Sequence, residues 1–263
     1  MCRLVTYAGP PVPLEALVFH GSHSLYRQSW APRELLSGSV NADGYGIVWC
    51  GPDGDPVRLA RAEPIWYDGD LRRLLSTIET PIAQATLRNA TPGLPVDRAG
   101  VLPFVREGWA FSLNGAVPAF RQRHMRALRT PLSGERYASL TGVSDAETLF
   151  LGVLQGIDGG RTPHQAMRAQ VDAVAARLED GASAALTLVL SSERGIFTLH
   201  TAVGDSACNS LYHVDSPAWA PGGSVFASEP LDDDGAWTPV PAGSAWTQHP
   251  DGRVERVVVA PSD

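Results

Sequence analysis

Eight short runs of strand-forming residues, each cut off by turn chemistry, restrict this chain to a fold built largely from paired strands. The runs are Leu4–Tyr7, Gly46–Cys50, Ile82–Leu87, Trp109–Leu113, Leu186–Ser191, Ile196–His200, Val225–Ser228 and Val254–Ala260. Among them stand Ala42-Asp43-Gly44, Pro52-Asp53-Gly54, Glu193-Arg194-Gly195 and Pro250-Asp251-Gly252, where glycine admits the backbone angles that tight turns need.

Helices are signalled between groups of strands. Ser144-Asp145-Ala146-Glu147 has the S-x-x-E form of a capping box and leads into apolar Leu149, Phe150, Val153 and Leu154. A second helix is predicted from about Pro163 to Asp180, with Thr162 as N-cap, Pro163 in the first turn and Gly181 at the C′ position. Met167, Val171, Val174 and Leu178 recur on one face of it, which marks core. A third helix is expected over Pro13–Phe19. With no internal repeat and no low-complexity linker, the pattern reads as one α+β domain over residues 2–263.

Composition excludes several functions. A net charge of -7 gives no electrostatic footprint for nucleic acid or for an anionic membrane. All 21 basic residues are arginine, so Schiff-base, Ser–Lys and P-loop lysine chemistries are excluded. Three cysteines, Cys2, Cys50 and Cys208, are too few and scattered for a disulfide framework or a CxxC site. No run has the length and apolarity of a transmembrane helix, and Met1–His20 is not built like a signal peptide, so a cytoplasmic protein is expected. No metal or other cofactor is expected. The only close histidine pair, His20 and His23, has no acidic or cysteine partner in register, and Ser228–Asp234 reads as a solvated acidic loop. The sequence is compatible with a homo-oligomer.

Cys2 carries the most chemistry. Removal of Met1 leaves its thiol beside a free α-amine, which titrates near ~7.7–8.0 and is therefore suited to acid–base work at neutral pH. A thiol is largely protonated at that pH, and a neighbouring base can take its proton as it attacks.

Further motifs supply partners for Cys2. They are Met1-Cys2-Arg3, Gln28-Ser29-Trp30-Ala31-Pro32-Arg33, Asn41-Ala42-Asp43-Gly44-Tyr45-Gly46 and Leu87-Arg88-Asn89-Ala90-Thr91-Pro92-Gly93. Ser112-Leu113-Asn114-Gly115, Ser144-Asp145-Ala146-Glu147 and Ala227-Ser228-Glu229-Pro230-Leu231-Asp232-Asp233-Asp234 follow, with Trp237 and Pro241 beyond. In this order and spacing they resemble the class II glutamine amidotransferase-like N-terminal-nucleophile (Ntn) hydrolases. More narrowly, the chain is similar to the γ-glutamyl hydrolases of the ergothioneine pathway.

The resemblance implies an α+β fold of four αββα layers, with two antiparallel sheets between helices. It implies that Cys2 is the nucleophile and that the Asn114 side chain and the Gly115 N–H stabilise the oxyanion. Arg88 would hold the α-carboxylate of a small-molecule γ-glutamyl substrate, since a guanidinium grips a carboxylate bidentately. Asn89 and Thr91 would lie beside it, and Asp145 would pair with the α-ammonium. Leu113 stands where the family usually has His, and Thr86 where relatives often carry another. The implied substrate is γ-glutamyl-cysteinylhercynine sulfoxide. Another γ-glutamyl peptide hydrolase, the glutaminase subunit of an amidotransferase, and an inactive binding module on the same fold are the alternatives. Read locally, Asp145 is also an acid suited to a helix start and Asn114-Gly115 a pair suited to a tight turn.

Overall fold

The computed structural model describes residues 2–36, 38–90, 96–234 and 236–259. Two antiparallel sheets form its centre. The first holds seven strands in the spatial order β11 (Thr238–Pro239), β9 (Tyr212–Asp215), β10 (Ser224–Ala227), β1 (Arg3–Pro13), β4 (Glu79–Leu87), β2 (Tyr45–Cys50) and β3 (Pro56–Arg61). The second holds six: β13 (Val254–Val257), β12 (Ser244–Gln248), β8 (Gly195–Val203), β7 (Ala184–Ser192), β6 (Trp109–Gly115) and β5 (Phe104–Arg106). All eight predicted runs fall on strands, although β10 ends at Ala227, one residue short of the expected Ser228, and β13 covers Val254–Val257 of the last run. The strands β3, β5, β9, β11 and β12 carry no comparable sequence signal.

Strand alternation decides which face each side chain takes. Val5 and Tyr7 of β1, with Ala83, Ala85 and Leu87 of β4, pack under the helices α1 (Leu14–Phe19), α2 (Leu25–Gln28) and α3 (Leu71–Leu75). On the other side Phe111 and Leu113 of β6 and Leu186, Leu188 and Leu190 of β7 pack under three more helices. These are α4 (Met125–Arg129), α6 (Asp145–Asp158) and α7 (Pro163–Ala175), with α5 (Gly134–Ala138) between the first two in sequence. The layers therefore run αββα.

The intervening residues face between the sheets, and this layer is unusually polar. Leu4, Ala8, Ile82, Val189, Ile196 and Phe226 give it an apolar patch. Around that patch the buried amides and hydroxyls satisfy one another. Ser112 Oγ donates to Gln84 Oε1 at 2.9 Å and Gln84 Nε2 donates to Ser191 Oγ at 2.8 Å. Thr6 Oγ1 donates to Gln248 Oε1 at 2.6 Å, whose Nε2 donates to the Ser224 carbonyl at 3.0 Å. Gln84, Ser112, Ser191, Thr6 and Gln248 are tolerated there because they pair across the two sheets.

Two helix ends differ from expectation. Thr162 and Gln165 form a full capping box on α7, but the helix stops at Ala175 rather than near Asp180. The Arg177 guanidinium turns back onto the Ala173 carbonyl, and Leu178 reaches the core from beyond the helix. Gly181, at φ +80°, therefore belongs to the following turn and not to a C′ cap. On α6, Ser144 caps the Glu147 N–H, whereas the Glu147 carboxylate accepts from the backbone N–H groups of Thr141 and Gly142. Only half of the expected capping box forms, because the incoming loop offers that carboxylate better donors.

The inter-sheet network makes a direct statement about stability. Gln84→Ala strands two buried serine hydroxyls, and each buried group left without a partner costs about 1–3 kcal/mol. Denaturant unfolding of Gln84→Ala is expected to show a loss of at least that size; an unchanged midpoint would show that the network contributes nothing.

Candidate active site

The pairing of β1 with β4 places Arg3 opposite Leu87. The next residues outward, Cys2 and Arg88, thus emerge at the same end of the sheet. They open onto a cleft of about 460 Å³ whose walls include Asn89, Leu113, Gly115 and Asp145. Cys2 is half-buried in that wall, not a free chain end. Ligand sites for small molecules commonly have about this volume.

The Asn41–Gly46 motif fixes the main chain of Arg88. The Arg88 N–H donates to the Gly44 carbonyl at 2.8 Å, and the Arg88 carbonyl accepts from the Asp43 N–H at 3.1 Å. Asp43 Oδ2 also accepts from the Ala90 N–H at 2.8 Å. The guanidinium lies against Gly100, where an added Cβ would sit 2.7 Å from Nη2. Thr86, two residues earlier, is buried and donates to the Leu102 carbonyl at 2.6 Å, so it works inside the fold. Thr91 lies outside the described residues.

Asp145 opens α6 from the opposite wall. Its carboxylate accepts from the Val117 N–H at 2.7 Å and from the Ala146 N–H at 2.8 Å. Burial pushes the carboxyl above its ordinary value, and these backbone bonds offset only part of that. A buried carboxylate facing a cleft in this state gains from any cation that reaches it.

Asn114 and Gly115 end β6, and the pair is strand rather than tight turn. Gly115 has φ +147°, and a Cβ there would overlap the Ala185 carbonyl oxygen, so only glycine fits. Asn114 faces between the sheets and does not itself line the cleft. Its Nδ2 donates to Ser228 Oγ at 3.4 Å, and the same oxygen accepts from the Leu4 N–H at 3.0 Å. Ser228 thereby ties the oxyanion candidate to the strand that carries Cys2.

The expected solvated acidic loop is corrected at its first carboxylate. Glu229 is 1% exposed and Arg3 is fully buried, and they pair through Nη1 and Oε1 at 2.8 Å. Glu229 also accepts from His23 Nε2 at 2.6 Å and from the backbone N–H groups of Arg33 and Glu34 at 2.8 and 3.0 Å. Burial alone would raise this carboxyl; His23, the two N–H groups and Arg3 outweigh it and bring it down to about 2. Burial also draws the Arg3 guanidinium down, against Glu229, yet an arginine stays charged at neutral pH. His20 likewise finds an acid, Asp232, at 3.8 Å. Both histidines thus have carboxylate partners from the far end of the chain. Among the described residues no three His, Cys, Asp or Glu side chains cluster as a metal site.

Arg3 further donates through Nε to the Cys2 carbonyl at 2.9 Å, so the ion pair grips the residue beside the thiol. Neither Arg3 nor Glu229 is identifiable from local sequence as a site residue, nor is Asn209, which lines the cleft from the loop after β8. Only the recurrence of Ser228-Glu229-Pro230 in the motif series pointed to that region.

Removing one partner of a buried ion pair leaves the other uncompensated, at a cost of about 3–5 kcal/mol. Glu229→Gln is expected to lose stability of that order in denaturant unfolding. Because the folded carboxyl lies below its unfolded value, its contribution is complete above about pH 4.5 and is lost as pH falls toward about 2. The variant should therefore show a shallower acid-induced loss than the parent across that window, and parallel acid profiles would contradict the assignment.

Comparison with known proteins follows the same lines. No protein-family model matches the chain. It is 30% identical over 241 residues to the gamma-glutamyl-hercynylcysteine sulfoxide hydrolase of Mycolicibacterium smegmatis, covering 92% of each protein. It is 29% identical over 243 residues to the hydrolase of that name from Mycobacterium tuberculosis, covering 92% of this chain and 90% of the other. Among solved structures, a glutamine aminotransferase class-II domain protein from Silicibacter pomeroyi superposes with a TM-score of 0.71 at 21% identity, over 99% of this chain and 100% of that one. Glutamine phosphoribosylpyrophosphate amidotransferase from B. subtilis gives 0.64 at 17% identity, over 97% of this chain and 49% of the larger protein. The chain has the Ntn fold of the class II glutamine amidotransferases, and it belongs to the gamma-glutamyl-hercynylcysteine sulfoxide hydrolase family.

Proposed function

We propose that this chain is a single-domain cytoplasmic hydrolase, spanning residues 2–263, that releases glutamate from γ-glutamyl-cysteinylhercynine sulfoxide in ergothioneine biosynthesis. The observation that carries the reading is the convergence of Cys2, Arg88, Gly115 and Asp145 on one cleft. A thiol, a carboxylate-binding cation, an oxyanion donor and a buried anion are the four elements that hydrolysis of a γ-glutamyl amide requires.

The residues divide the work by charge. Arg88 takes the substrate α-carboxylate in a bidentate grip, with Asn89 beside it in the cleft wall. Asp145 takes the α-ammonium, which relieves the cost of its own buried charge. Two opposite charges read at fixed separation place the γ-carbonyl over Cys2. With Met1 removed, the Cys2 α-amine accepts the thiol proton as sulfur bonds to the carbonyl carbon. The carbonyl oxygen becomes an oxyanion held by the Gly115 N–H and by Asn114 Nδ2 once it turns from Ser228 to the cleft, donors of the kind worth ~10²–10³ in turnover. Collapse expels the leaving amine, which takes the proton from the α-ammonium of Cys2. Water then adds to the thioester with the amine as base, freeing glutamate and restoring the thiol.

Cys2→Ala is expected to abolish glutamate release with an unchanged far-UV CD spectrum, and Cys2→Ser to be nearly as inactive. The parent should cleave the hercynyl sulfoxide substrate with far higher kcat/KM than glutamine or glutathione. If glutamine proves the better substrate, the chain is instead a glutaminase, and retained activity in Cys2→Ala ends the nucleophile assignment.

The Asp145 carboxyl gives a pH dependence. Its value is raised in the free enzyme, and only the charged form pairs with the substrate ammonium, so kcat/KM falls as pH drops through that raised value. Asp145→Asn should raise KM about tenfold or more and remove this acid limb. An acid limb that survives the substitution would assign the titration to another group.

A further inference from the structure

Strand pairing leaves the end of β6 partly unsupported. β5 runs beside β6 only as far as Phe111, and over Ser112–Gly115 its strand partner is β7 alone. The register turns the Asn114 carbonyl toward β7, opposite Thr187, and the Gly115 N–H toward the open edge. Asn209 Nδ2 also donates to that carbonyl, at 2.8 Å. Asn209 is 2% exposed and lines the cleft.

That bond controls more than the carbonyl it reaches. The Asn114 carbonyl and the Gly115 N–H belong to one peptide unit, held planar and trans, so they point in opposite directions. Fixing one fixes the other. Gly115 has no side chain to resist rotation of this unit and already sits at φ +147°, a region open to glycine and strained for other residues. The peptide most able to turn is therefore the one whose N–H matters. A carbonyl only accepts, so the Asn209 amide must present its NH₂ to Asn114. Its Oδ1 has no partner among the described residues, and no competing hydrogen bond draws the amide away. The loop is pinned next door, where Ser210 Oγ accepts from Arg3 Nη1 at 3.4 Å.

We propose that Asn209 is a positioning residue that locks the Asn114–Gly115 peptide and thereby aims the Gly115 N–H at the oxyanion. The proposal rests on the function given above for the Gly115 N–H. Asn209→Asp keeps the side-chain size but replaces the donor with a carboxylate that repels the Asn114 carbonyl; Asn209→Ala removes the donor alone. Both are to be assayed for kcat and KM on a γ-glutamyl amide, and for the rate at which iodoacetamide alkylates Cys2, a reaction that forms no oxyanion.

The expected result is a fall in kcat of about 10–10²-fold, with KM and the alkylation rate within about twofold of the parent. A merely structural role would depress kcat and alkylation together. That pattern, or kcat within about twofold of the parent in both variants, overturns the proposal. Should Asn209→Asp fail to fold, Asn209→Ala carries the same comparison. A parent that cleaves no γ-glutamyl amide would overturn the functional reading itself. The crystal structure of Asn209→Ala then decides the positioning role: a rotated Asn114–Gly115 peptide supports it and an unmoved one overturns it.

Discussion

A buried ion pair, Arg3 with Glu229, ties the first strand to a loop 226 residues further along, at the point where Cys2 leaves that strand. Two opposite charges taken out of water are costly unless their remaining hydrogen-bonding groups are also satisfied. Here Glu229 collects Arg3, His23 and two backbone N–H groups, and together they fix three segments around the cleft. Arg3 holds the Cys2 carbonyl, the N–H groups of Arg33 and Glu34 hold the loop that carries Leu36 and Gly38 to the cleft, and His23 ties in the segment after α1. A chain-terminal residue has the fewest constraints in a folded protein. Cys2 lies one residue from the start of the sequence, and this hub supplies the constraints that such a position lacks.

The same logic explains what the sequence could and could not disclose. Long alternating runs such as Leu186–Ser191 were legible because burial of one face writes itself into the next residue but one. Ser-Ala-Trp-Thr-Gln of β12 was not, since its neighbours β8 and β13 provide its environment and its own residues lack a β-branched run. The helix starts were legible through Ser144 and Thr162, whose caps are local chemistry. The α7 end was not, because an arginine reaching back to a carbonyl leaves no residue-type signature. Within the site, Cys2, Arg88, Gly115 and Asp145 were found through motif resemblance, and the fold brings them to one cleft. Glu229 pairs with a residue 226 positions away, and Asn209 with one 95 positions away. Such partners have no local trace.

Polar layers between sheets are usually a liability, and here one serves the site. The inward-facing positions of β6 alternate Ser112, Asn114, while the outward ones, Phe111 and Leu113, go to the helical core. An amide can be held at the strand end because the layer it enters is already hydrogen-bonded through Gln84, Ser112 and Ser191. Ser228 then links Asn114 to Leu4 across the sheets. Leu113, in the place of a usual family histidine, is anchored in the helical core yet borders the cleft. An apolar group at that point changes the wall without adding a charge that would compete with Arg88 or Asp145.

Three cysteines share a half-buried setting, and Cys2 is the one that lines the cleft. Burial pushes the Cys50 thiol up, and Glu193, Asp53 and Asp55 push it further, so the thiolate is disfavoured there. Its sulfur donates to the carbonyls of Gly51 and Gly54, which uses the proton structurally. Burial likewise raises Cys208, beside Asn209. Burial lowers the reactivity of a thiol unless a positive charge or a base compensates it. Cys2, beside Arg3 in sequence, shares the cleft wall with Arg88. Attack on a carbonyl also needs a place for the oxyanion, and the end of β6 borders this cleft through Gly115. A thiol's suitability as a nucleophile is therefore set by what surrounds the sulfur and by where a tetrahedral oxygen can be held, rather than by the thiol itself.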